Sequence, residues 1–148
     1  MPCPTPVSRR GRPGTTFVWP AAPAARPDNV AAAGQKLDLG GASAGKLSFI
    51  GAATNGDHRG TATVTFTDGT TATADLSFGD WILPGGGNDP VFGNTLVART
   101  VYRNQPGAAG PSASVYATAP LEIAAGKKVA TITLPADPDL HVFALGLG

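Results

Sequence analysis

The chain has 148 residues, a net charge of +1, 20 glycines, 14 prolines and only 14% charged residues. That length suits one domain with a proper core, and the single Glu, Glu122, together with few lysines and many threonines, argues against a mainly helical protein. The 42% apolar fraction excludes disorder of the whole chain, and the charge offers no electrostatic basis for binding nucleic acid or an anionic membrane. The lone Cys3 removes internal disulfides and most zinc and redox readings. No run of about 18 apolar residues is present to cross a membrane as a helix.

In chain order, residues 1–14 (MPCPTPVSRRGRPG) predict a disordered tail in which Arg9, Arg10 and Arg12 are solvated. They lack the apolar segment of a signal peptide, so secretion would have to be specified in a longer parent, or the start is truncated or misplaced. Residues 15–19 (TTFVW) read as a short strand closed by Pro20; residues 21–27 are a Pro/Ala connection and 30–35 carry no clear pattern. Leu37 and Leu39 alternate around Asp38 and predict a short strand ending at Gly40-Gly41. Residues 46–53 (KLSFIGAA) are a mostly buried strand with Leu47 and Phe49 on one face, and 54–60 (TNGDHRG) a surface loop.

Residues 60–81 carry the sharpest pattern. Ala62, Val64 and Phe66 alternate with Thr61, Thr63, Thr65 and Thr67; after the turn, Ala72, Ala74, Leu76 and Phe78 alternate with Thr71, Thr73, Asp75 and Ser77. A two-residue Asp68-Gly69 loop would set apolar residues opposite polar ones. A three-residue loop, Thr67-Asp68-Gly69, instead pairs Val64 with Ala72 and Ala62 with Ala74, with Gly69 supplying the left-handed position.

Residues 83–94 form a long Gly/Pro loop, 95–103 (TLVARTVYR) a strand and 104–112 a Gly/Pro turn region. A strand over 113–123 is broken at Pro120, which suggests an edge or a bulge; 128–134 and 141–145 complete the set. Roughly eight strands with turn signals at this spacing predict an all-β antiparallel sandwich or jelly roll, with residues 15–148 as one module.

Several segments then fall into a familiar order: PDNV at 27–30 with Gly34-Gln35, LSFIGAATNG at 47–56, TVTFTDGTT with FGDW at 78–81, and TLPADPDLHVFALG at 133–146. Together they resemble the galactose-binding-like β-sandwich modules appended to secreted actinobacterial glycoside hydrolases of the α-mannosidase type. The resemblance implies a jelly roll in a non-catalytic, carbohydrate-binding or accessory role, extracellular, with a glycan or a glycoside hydrolase catalytic domain as partner. Some such modules carry a structural calcium ion. No residue-level binding motif transfers, and the segment before Thr15 lacks the strand with which such modules commonly begin.

Sugar binding needs an aromatic platform beside planar hydrogen-bonding groups, because a pyranose has an apolar C–H face and a ring of hydroxyls. Trp81 follows a strand and precedes the long loop, so it either stacks on a sugar or, as is commoner, plugs one end of the sandwich. Trp19, next to Pro20, reads as core or rim packing. Tyr102, Arg103 and Asn104 end a strand beside a loop and are suited to vicinal hydroxyls, although strand-end polar residues are ordinary. Period 2 puts Arg99 and Arg103 on one face with Val97 and Val101, a partly solvated face that suits either sugar contacts or snorkelling side chains. The ligand-binding candidates are therefore Trp81, Tyr102, Arg103 and Asn104.

The cluster Asn55, Asp57, His58 and Arg59 reads as a solvated loop, since a metal site needs three convergent ligands and the other histidine, His141, opens a distant strand. Asp137 and Asp139, with Asp89 or Asp28, offer oxygen ligands for calcium, but without EF-hand spacing, and turn aspartates usually cap their own backbone. No metal site and no catalytic residue is assigned. One Glu and scattered turn Asp residues give no glycosidase pair, and hydrolase-elbow, zincin and Walker motifs are absent. The competing expectation is a purely structural sandwich that packs against a catalytic domain and binds no sugar.

Overall fold

The computed structural model describes residues 9–10, 15–23, 26–82, 90–101, 104–105, 108–110 and 112–148. Among these residues all regular structure is β, and no helix is long and apolar enough to cross a membrane. The strands are β1 (Arg9–Arg10), β2 (Thr16–Phe17), β3 (Val30–Ala31), β4 (Lys36–Ser43), β5 (Lys46–Ala53), β6 (Thr61–Phe66) and β7 (Thr71–Asp75). They continue as β8 (Thr95–Arg99), β9 (Asn104–Gln105), β10 (Ala108–Ala109), β11 (Ser114–Ala117), β12 (Leu121–Glu122), β13 (Lys128–Thr133) and β14 (Leu140–Leu147). One sheet runs β1-β2-β14-β5-β11-β8, with β3 added to β14 and β12 to β5; the facing sheet runs β4-β13-β6-β7. Every strand pair is antiparallel. The chain is an antiparallel β-sandwich.

The alternation around residues 60–78 produces the hairpin it predicts. Ala62 pairs with Ala74 and Val64 with Ala72, and the three-residue loop is closed by Phe66 N–H donating to Thr70 O at 2.8 Å. Gly69 sits at φ 84°, where a side chain would be strained. The inward residues of this hairpin, with Val129, Ile132 and Leu134, meet Leu47, Phe49, Tyr116, Leu140 and Val142 of the other sheet in one buried core. Each of the larger side chains contributes roughly 1.5–3 kcal/mol by leaving water.

The tip of the hairpin is tied to the 124–128 turn by Lys127, whose ammonium pairs with Asp68 and lies over the Phe66 ring, 5.5 Å from its centroid. That lysine, then the Thr70 hydroxyl and amide, hold the Asp68 carboxyl well below the usual carboxylate range. Because the folded-state value lies below the unfolded one, the stabilisation is complete above about pH 4 and is lost as the pH falls through the folded-state value. Asp68→Asn therefore lowers Tm slightly at neutral pH and flattens the loss of Tm between pH 5 and pH 2. Thermal melts across that range check it, and the exposed pair makes the effect smaller at high salt.

Two expectations change. Strand β4 does not stop at Gly40-Gly41 but runs through them: both have positive φ (62° and 81°), and the register jumps from Ala42↔Val129 to Asp38↔Thr131. The glycines build a bulge, which bends a strand without ending it. In β8 a second register shift makes Val97 an extra residue, so Val97 and Ala98 both serve the outer face and Arg99 turns to Ser112, donating to its Oγ at 3.2 Å. The supposed common face of Val97 and Arg99 is lost to that bulge. Arg9–Arg10 pair with β2, and the rest of residues 1–14, the tail expected to be disordered, lies outside the described residues.

Candidate functional site

The outer face of the β14-β5-β11-β8 sheet is not the polar surface that a solvated sheet face usually shows. Phe17, Ile50 and Ala117 are buried there, with Trp19, Val97, Val115 and Ala144 packed on them. Beside this patch lies a cleft of about 470 Å³, lined by Trp19, Trp81 and Phe143 and by Asp28, Asn29 and His141, with small residues of β5, β8 and β11 forming its floor.

Trp81 reaches this face because two strands separate. β5 and β11 pair at Ile50↔Ala117 and Gly51↔Tyr116. Beyond that point residues 80–81 enter the fork between them: Trp81 N–H donates to Ala53 O at 2.8 Å and Ser114 N–H donates to Trp81 O at 2.7 Å. The Tyr116 hydroxyl, whose pKa is pushed up by burial, donates to Asp80 O at 2.9 Å and holds the wedge from the core side. The Asp80 carboxylate accepts Gly56 N–H and Ile82 N–H, both at 2.7 Å. The segment FGDW thus works as one unit: Phe78 fills the core, Asp80 pins the neighbouring loop and Trp81 is set half-buried at the cleft.

On the opposite wall Trp19 stacks on Phe143, with centroids 5.4 Å apart and ring planes 20° from parallel. The polar end is a hydrogen-bonded chain. Asn29 Nδ2 donates to Asp28 Oδ1 at 3.0 Å, His141 Nδ1 lies 2.9 Å from Asn29 Oδ1, and His141 Nε2 lies 3.3 Å from Thr54 Oγ1. Aromatic walls and fixed planar polar groups in a cleft within the roughly 300–1,000 Å³ range of small-molecule sites can receive an apolar ring face and orient its hydroxyls.

Of the residues singled out from sequence, Trp81 lines the cleft, and Trp19, read as core or rim packing, packs on the Phe17, Ile50 and Ala117 cluster and also lines the cleft. Tyr102 and Arg103 lie outside the described residues, and Asn104 is placed only by its backbone, on β9. Sequence reasoning missed Phe143, Asn29 and His141 as cleft residues. A signal existed for two of them: His141 and Phe143 alternate with the core residues Leu140 and Val142, so an aromatic ring sits on the outward face of β14.

The loop at 54–60 is also more than a solvated turn. Pairing of Ala53 with Leu140 brings it against the 135–139 turn, where His58 Nδ1 lies 2.8 Å from Asp137 Oδ2 and His58 Nε2 lies 3.8 Å from Asp139 Oδ2. Asp139 Oδ1 accepts Asn55 Nδ2 at 2.8 Å and Thr54 Oγ1 at 3.1 Å, which holds this carboxyl below the usual carboxylate range. Asp28 lines the cleft instead, and Asp89 lies outside the described residues. Calcium takes six to eight oxygen ligands. A cluster built on an imidazole, with both Asp137 oxygens and one Asp139 oxygen already hydrogen-bonded, does not fit that ion.

No curated protein matches the chain by sequence. The model of one family, the AziU2-like β-sandwich domain, matches residues 12–148, and the chain belongs to that family.

Proposed function

We propose that the chain is a non-catalytic carbohydrate-binding module, galactose-binding-like in its jelly-roll form, that serves an extracellular glycoside hydrolase of the α-mannosidase type. The observation that carries the binding reading is the cleft itself: two tryptophans and a phenylalanine beside the Asp28–Asn29–His141 chain. Trp81 supports it further, because a residue that only plugged the end of the sandwich would not line an open cleft. The sequence resemblance supplies the association with a hydrolase and the extracellular setting. Mechanistically, the sugar's C–H face rests on an indole while its hydroxyls exchange hydrogen bonds with the Asp28 carboxylate and the Asn29 amide, which His141 holds in place, and no bond is made or broken.

A glycan array followed by calorimetry tests this. A neutral oligosaccharide binds saturably, and Trp81→Ala weakens it about tenfold or more, the loss of roughly 1.4 kcal/mol or more expected when an aromatic platform is removed. Folded protein that is silent across the array contradicts binding. It favours the second reading, a structural module whose partly exposed apolar residues Trp19, Val97, Val115 and Ala144 on the outer face pack on a catalytic partner.

A further inference from the structure

We propose that His58 and Asp139, with Asp137 behind the ring, form a binding site for a single first-row transition-metal cation of the zinc class, separate from the sugar cleft. His58 Nδ1 is 2.8 Å from Asp137 Oδ2, and the other Asp137 oxygen accepts Asp139 N–H at 3.1 Å, so the carboxylate is fixed in place. A carboxylate on Nδ1 keeps the proton there and turns the Nε2 lone pair outward, the arrangement found behind metal-bound histidines. What Nε2 then faces is Asp139 Oδ2 at 3.8 Å, too far for a hydrogen bond. An ion about 2.1 Å from each atom spans roughly 3.4 Å at the tetrahedral angle, so the gap closes with a shift of a few tenths of an ångström.

The rest of the surroundings agrees. Asn55 and Thr54 both bond Asp139 Oδ1, which leaves Oδ2 as the oxygen turned to the imidazole. His58 Nε2 and Asp139 Oδ2 are the two protein ligands, Asp137 stays behind the ring, and because all three side chains are half-buried, water takes the remaining positions. Mixed imidazole and carboxylate donors select zinc, nickel or copper over calcium and magnesium. The ion would clamp the 54–60 loop to the 135–139 turn. In its absence His58 is tied to Asp137, and Asp139 is held by Asn55 and Thr54.

The test is a titration of the whole chain in a Cys3→Ser background with zinc chloride, followed by calorimetry and by the imidazole nitrogen resonances of the two histidines. The expected result is one ion per chain, with Nε2 of His58 shifting on binding and His141 unmoved. His58→Gln abolishes binding, Asp137→Asn weakens it about 10- to 100-fold, and calcium chloride gives no saturable heat. No saturable zinc binding by folded protein overturns the site, as does binding that leaves the His58 resonances unchanged. The resonances of the unsubstituted histidines decide the matter even if His58→Gln fails to fold.

Discussion

Gly51→Ala lowers stability by about 3 kcal/mol or more, or prevents folding, which makes it one of the most damaging single-methyl additions available to this chain. A Cβ at position 51 would stand 2.1 Å from the His141 carbonyl oxygen and 2.6 and 2.8 Å from two carbons of the Phe78 ring. The carbonyl belongs to the backbone of β14, the strand paired with β5 along its length, so it cannot retreat without opening the middle of the sheet. Trimming the ring does not rescue the variant. Gly51→Ala combined with Phe78→Ala removes one clash, keeps the carbonyl clash and adds a cavity. Chemical denaturation of the single and double variants checks this, and a double variant restored to wild-type stability would show the backbone contact to be unimportant.

Tyr116→Ala comes next, at about 3–5 kcal/mol. Tyr116 is fully buried at the centre of the core, and its hydroxyl donates to Asp80 O at 2.9 Å. The milder Tyr116→Phe separates packing from the hydrogen bond. It keeps the ring, leaves the Asp80 carbonyl without that donor and costs about 1 kcal/mol. Because Asp80 immediately precedes Trp81 in the fork between β5 and β11, Tyr116→Phe also loosens the Trp81 platform. Thermal melts give the stability, and tryptophan emission that shifts to longer wavelength in Tyr116→Phe reports the loosened indole. An unchanged emission spectrum would mean that the backbone bonds of Trp81 to Ala53 and Ser114 suffice to hold it.

The hairpin of residues 61–75 was legible to the register because two local signals agree: a period of two, and a glycine where the turn needs positive φ. The same logic misread Gly40-Gly41. Two glycines are a stop signal and a bulge signal alike, and only the partner strand β13 decides between them. The Val97 bulge is likewise silent in sequence and overturns the face assigned to Arg99.

The candidate site was legible only in part for a related reason. Trp81 declares itself by composition and position. Trp19 meets Phe143, and His58 meets Asp137 across 79 residues, only because β14 lies beside both β2 and β5, a pairing no local pattern encodes. Asp28 and Asn29 stood within the PDNV segment, yet nothing in that segment said that their amide and carboxylate would extend the polar edge opened by His141.

The most direct measurement of the central claim is a nitrogen–proton correlation spectrum recorded while the array's best oligosaccharide is titrated into the protein. The chain has two tryptophans and so two indole N–H signals, Trp19 and Trp81. The account predicts that both move saturably, with the amides around Asn29 and His141, while those of the Asp68-Gly69 turn on the opposite sheet stay in place. Indole signals that stay fixed while the sugar binds elsewhere would contradict the cleft as the binding site.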